Sequence, residues 1–100
     1  MKEIKVSDED PETFLRKLKK AVSGGELGAL TSFDLQGEDF CIRFSGLGES
    51  RIWYKLERRE TGFSAVRRKE KIALLHHPFR GEMEKNLGNI LRRLGAELSE

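Results

Sequence analysis

Near the N-terminus the apolar positions recur with period two. In Lys2 to Ser7, Ile4 and Val6 point one way and Glu3 and Lys5 the other, as in a half-buried strand. The period then changes. Asp10, Pro11 and Glu12 form a helix start: the aspartate accepts from free backbone N–H groups, proline has none to lose, and Glu12 faces the positive dipole end. Phe14, Leu15, Leu18, Ala21 and Val22 follow as an apolar stripe, with Arg16, Lys17, Lys19 and Lys20 toward water. Gly24 and Gly25 end this helix, which is predicted over residues 11–23.

From Ala29 onward the pattern is that of strands separated by turns. Thr31, Phe33 and Leu35 share a face, Gln36 to Asp39 turns the chain, and Phe40, Ile42 and Phe44 share the next face with Cys41 and Arg43 opposite. After the Gly46 to Gly48 turn, Ile52, Tyr54 and Leu56 point inward, leaving Arg51, Trp53, Lys55, Glu57 and Arg59 on the other side. Thr61 and Gly62 turn the chain again. Phe63 to Leu75 reads as strand or helix, and a hairpin partner of the preceding strand is the better fit to a short Thr-Gly turn.

Pro78 opens a last helix, expected at residues 79–96, with Met83, Leu87, Ile90, Leu91 and Leu94 on its apolar face. Gly81, Gly88 and Gly95 recur every seven residues in it. Glycine costs a helix about 1 kcal/mol relative to alanine, so they imply either close approach to a neighbouring element or loose propensity at Gly81 with a cap at Gly95.

The expected fold is a single α+β domain spanning residues 1–100. It has one antiparallel sheet of four to five strands in β-α-β-β-β-β-α order, with two helices packed on one face. Its predicted core holds Phe14, Leu18, Phe40, Ile42, Phe44, Ile52, Tyr54, Leu56, Leu87, Ile90 and Leu91. The other sheet face is left open unless something binds it.

Composition narrows the chemistry. With 100 residues and one cysteine, no internal disulfide forms, and a reduced thiol fits a cytoplasmic protein. The charged N-terminal ten residues do not resemble a signal peptide, and the longest aliphatic run, Ile72 to Leu75, is far short of a membrane span. The expectation is a soluble intracellular protein with no membrane partner. His76 and His77 are adjacent, so they diverge on either a strand or a helix, and no second cysteine lies at ligand spacing from Cys41. They read as solvated or loop-capping histidines, with no metal and no cofactor. The carboxylates sit beside Arg or Lys, and Gly46-Leu47-Gly48 leads into a strand rather than a helix N-terminus. No catalytic constellation emerges, so the protein is expected not to be an enzyme.

The net charge is only +2, and the excess is local: residues 51–71 carry eight basic side chains against three acidic ones and include Trp53. Arg43, Arg51, Trp53, Lys55 and Arg67 are the candidate binding residues. An aromatic plane among guanidinium and ammonium groups suits a protein partner or self-association, since Trp and Arg are favoured anchors. The same face also suits RNA or single-stranded nucleic acid, with the indole stacking a base. A third reading is a solvated hairpin whose charges prevent edge-to-edge aggregation.

The α-β-β-β-α order with a basic bias is similar to the double-stranded RNA-binding domain over most of the chain after Pro11. That family carries K-K-x-A-K at the start of its last helix and a Gly-Pro with a histidine in its first hairpin loop. Here the corresponding stretches are Arg80, Gly81, Glu82, Met83, Glu84, Lys85 and Gln36, Gly37, Glu38, Asp39. No family membership is assigned. The primary expectation is a non-enzymatic interaction or assembly module acting through the sheet face around Trp53 or through a sheet edge, with nucleic-acid binding as the alternative.

Overall fold

Asp10 caps the first helix as its chemistry requires: the carboxylate accepts the Thr13 N–H at 2.7 Å, and Pro11 stands in the first turn. The computed structural model describes residues 1–25 and 28–100. Its elements are β1 (Glu3–Val6), α1 (Pro11–Ser23), β2 (Thr31–Gln36), β3 (Asp39–Ser45), β4 (Glu49–Arg58), β5 (Phe63–Lys71), a 3-10 turn (Leu74–Phe79), α2 (Arg80–Arg93) and β6 (Glu97–Ser99). Among the described residues no helix is long and apolar enough to cross a membrane.

The sheet is antiparallel throughout, in the order β2-β3-β4-β5-β1-β6. Among the described residues it has six strands rather than four or five. The sixth arises because Gly95 takes a left-handed φ of +103°, which ends the helical run and sends the chain back beside β1, where Ile4 pairs with Leu98. The last helix therefore stops at Arg93, short of residue 96. It also begins later than Pro78 implied, because Pro78 lies inside the 3-10 turn. The three glycines divide by role. A Cβ at Gly88 would stand 3.2 Å from Leu98 Cδ1, a true close approach, Gly95 is the cap, and nothing crowds Gly81.

The segment after Thr61-Gly62 is a strand, but only to Lys71. Both helices cover the same face. Phe14 meets Phe63 edge-on with ring centres 5.9 Å apart, and Leu18, Ile42, Ile52, Tyr54, Leu87 and Leu91 are essentially inaccessible. Every predicted core residue is buried except Ile90, which is half-buried, and Ala21 of the predicted α1 stripe faces water. Burying large apolar side chains is the dominant favourable contribution to such a fold.

Candidate interaction surface

On the helix-free face, period-two alternation and the strand registers arrange side chains in rows. One row runs Ser32 on β2, Arg43 on β3, Arg51 on β4 and Lys71 on β5. The next runs Asp34, Cys41, Trp53 and Lys69, and a third runs Gln36, Asp39, Lys55 and Val66. Arg43, Arg51, Trp53 and Lys55 are thus brought together on the open face, as their alternation predicted.

Trp53 is partly exposed at the centre of this surface, and Lys69 Nζ stands 4.7 Å from the centre of its ring. Lys69 reaches that position through a β-bulge. Plain alternation from Ala65 puts Arg67 on the helix face, and the irregularity at Arg68 then returns Lys69 to the open face opposite Trp53. Arg67, the fifth candidate, therefore does not join the other four. Its side chain is 19% exposed, and its guanidinium donates to the Met1 carbonyl at 2.9 Å, to Glu84 at 3.2 Å and to Glu70 at 3.1 Å. The buried Tyr54 hydroxyl donates to the same carbonyl at 2.9 Å.

The basic excess of residues 51–71 is largely neutralised by carboxylates from elsewhere in the chain. Arg51 bonds Glu49 at 2.5 Å, Lys55 approaches Glu38 at 3.5 Å, Arg68 bonds Asp39 at 3.0 Å, and Arg58 forms a two-pronged pair with Glu12. Arg59 donates to Ser64 Oγ. The hydrogen bond from Arg51 holds the Glu49 carboxyl below the usual range, with Arg43 and Lys71 adding to the effect. Arg43 faces Arg51 directly, and its Nε is buried without a hydrogen-bond partner among the described residues.

The remaining polar groups offer little chemistry. Burial pushes the Cys41 thiol up, against the pull of Arg51 and Arg43, so it favours the thiol over the nucleophilic thiolate. His77 is exposed, whereas His76 is buried rather than solvated. Its Nε2 lies 2.6 Å from the Gly46 carbonyl, an obligate acceptor, so Nε2 carries a proton. Its Nδ1 lies 2.5 Å from Ser50 Oγ, which also accepts the Ala73 N–H at 2.8 Å. His76 thus ties the β3–β4 turn to the 3-10 turn. Among the described residues no three His, Cys, Asp or Glu side chains gather as a metal cage.

Two further surfaces escaped the sequence reading. At the end held by His76, Leu47 is 78% and Leu74 83% exposed, with Leu75 and Phe79 also in water. Leu74 and Leu75 belong to the continuous apolar run Ile72 to Leu75, which reads as strand interior, whereas Leu47 lies in the Gly46 to Gly48 turn that the pattern had already set between strands. Between α2 and the sheet lies an open polar cleft of about 420 Å³ lined by Arg67, Arg80, Glu84, Lys85 and Arg92 among others. Its signal was the Arg80 to Glu84 spacing of four residues, a bond of 3.0 Å in the structure. No protein-family model, curated protein or solved structure matches this chain.

Proposed function

We propose that this domain is a non-enzymatic docking module that engages another protein through the open sheet face centred on Trp53. The observation that carries the reading is the central row of that face: a partly exposed indole lies between Cys41 and Lys69, with charges of both signs around it and no helix above it. Interleaved charges with a central aromatic anchor suit a protein surface, where complementary pairs set orientation and the aromatic supplies affinity.

Nucleic acid is the less favoured partner on the same geometry. A phosphate backbone is best met by cations free of neighbouring carboxylates. Here Asp34 and Asp39 border Trp53, and Arg51, Lys55 and Arg68 already have acidic neighbours. One face of the indole that would stack a base already carries the Lys69 ammonium.

The test is site-specific photo-crosslinking in cell extract, with the reactive group placed at Lys55 or, as a control, at Lys19 on α1. The docking reading expects a discrete protein adduct from position 55 that unlabelled wild-type chain competes away and Trp53→Ala chain does not. Adducts that are the same from both positions, or equal competition by both chains, overturn it. An RNA titration at low and moderate salt separates the alternative. Binding that weakens steeply with salt and is lost when Arg51 and Lys55 become glutamate would replace the protein reading with the nucleic-acid one.

A further inference from the structure

The sheet has two edges, and they are finished differently. β6 is three residues long and carries Glu97 and Ser99 outward from its single apolar residue, Leu98. β2 is six residues long, contains no lysine, proline or bulge, and among the described residues pairs only with β3. Short length, charge, proline and bulges are the usual ways an edge is kept from pairing. β2 has only Asp34.

Bonded pairs alternate along an antiparallel ladder. The Ser45 N–H donates to the Leu30 carbonyl at 2.8 Å, so Leu30, Ser32, Asp34 and Gln36 turn their backbone groups toward β3. Thr31, Phe33 and Leu35 turn theirs away from the sheet. The free backbone groups of the edge thus belong to the residues whose side chains sit on the helix-covered side.

We propose that β2 pairs antiparallel with β2 of a second copy of this chain, about a two-fold axis at Phe33. This goes beyond the open-face docking reading and does not depend on it. In that register Phe33 faces its counterpart, and Thr31 faces Leu35 of the second copy on each side of the axis, so all three outward-facing residues of each strand find partners. On the open side Ser32 meets Asp34 of the second copy, and no like charges oppose each other. A symmetric register centred on Asp34 sets two carboxylates together, and one centred on Leu35 leaves Thr31 without a strand partner.

Charge complementarity points to this occupant. Arg43 lies beside Ser32, faces Arg51, and has a buried Nε with no partner among the described residues. Across the axis the backbone of Asp34 from the second copy is two strand spacings away, about 9.6 Å, with only the small Ser32 between. An extended arginine and an aspartate span that gap. The pairing relieves the Arg43–Arg51 opposition and joins two six-stranded sheets, and their open faces, into one.

Sedimentation equilibrium of the full chain across micromolar concentrations tests this. The expected mass is twice 11.5 kDa, falling to the monomer for Asp34→Arg and recovering when Asp34→Arg is combined with Arg43→Asp. Circular dichroism of each variant establishes that it is folded. Amide exchange gives a readout on the unmodified chain: the Phe33 and Leu35 amides exchange slowly when concentrated and quickly on dilution. A monomer at every concentration overturns the proposal, and if the crosslink at position 55 still depends on Trp53, the docking reading stands without it. A dimer that ignores Asp34→Arg, or one abolished by Trp53→Ala alone, places the contact elsewhere. Failure of the double variant to recover the dimer overturns the register.

Discussion

Arg67 and Arg51 stand on opposite faces of the same sheet, and the fold uses them in different ways. Arg67 is mostly buried and donates to a backbone carbonyl and two carboxylates, Glu70 and Glu84. Arg51 bonds one exposed carboxylate, Glu49, on its own strand. A mostly buried guanidinium that joins three acceptors gives up charge-assisted hydrogen bonds that water replaces poorly there, whereas an exposed pair exchanges with water at almost no cost. The helix-covered face therefore holds the fold together, and the open face is free to meet something else.

The largest expected effect that would break this division lies in the core. Leu87→Ala removes a fully buried side chain from α2, and its unfolding free energy should fall by about 2–5 kcal/mol in urea denaturation. Trp53→Ala, a larger truncation on the other face, should cost only about 1 kcal/mol, the worth of its contact with Lys69 and its cross-strand neighbours. If Trp53→Ala costs as much as Leu87→Ala, the open face is structural and the comparison fails.

His76→Ala sharpens the comparison at the end of the sheet. It leaves the Gly46 carbonyl and the Ser50 hydroxyl without their ring partner and should cost about 1–3 kcal/mol. Amide exchange should rise at the Gly46 to Gly48 turn and across Leu74–Phe79 while the Trp53 row stays as in wild type. Exchange that rises equally over the whole sheet contradicts a local latch.

Tyr54 makes the burial of the covered face directly readable, because it is the only tyrosine. Burial pushes its hydroxyl up to about 12. The folded value lies above the free value of about 10, so the neutral phenol contributes stability that is fully present below about 10 and is lost as pH rises through about 12. Absorbance at the tyrosinate band should stay flat through pH 10 and rise only near 12, together with unfolding. Titration near 10 with the fold intact would place Tyr54 in solvent.

The central strands were legible in the sequence because each carries three large apolar residues at alternate positions: Phe40, Ile42 and Phe44, then Ile52, Tyr54 and Leu56. That alternation also placed Arg43, Arg51, Trp53 and Lys55 on one face. β6 was not legible, since one leucine in three residues has no period, and Leu94 and Ala96 before it continue a helical pattern. Arg67 was misplaced for a different reason. A basic run looks like one surface until the face of each member is known, and its partners Met1 and Glu84 lie far away in the chain. The burial of His76 likewise depends on Gly46 and Ser50, some 30 and 26 residues away. Local pattern gives the elements; long-range pairing decides which polar groups are structural.

The most direct test is the pair of single substitutions Arg67→Ala and Arg51→Ala, compared by equilibrium unfolding under one set of conditions. Arg67→Ala removes a mostly buried charged donor that the Met1 carbonyl shares with Tyr54 and Glu84 shares with Arg80, and should cost about 2–3 kcal/mol. Arg51→Ala breaks an exposed pair and should stay within about 0.5 kcal/mol of wild type. Equal costs, or a larger cost for Arg51→Ala, would contradict the division of the sheet into a face that holds the fold and a face left free to bind.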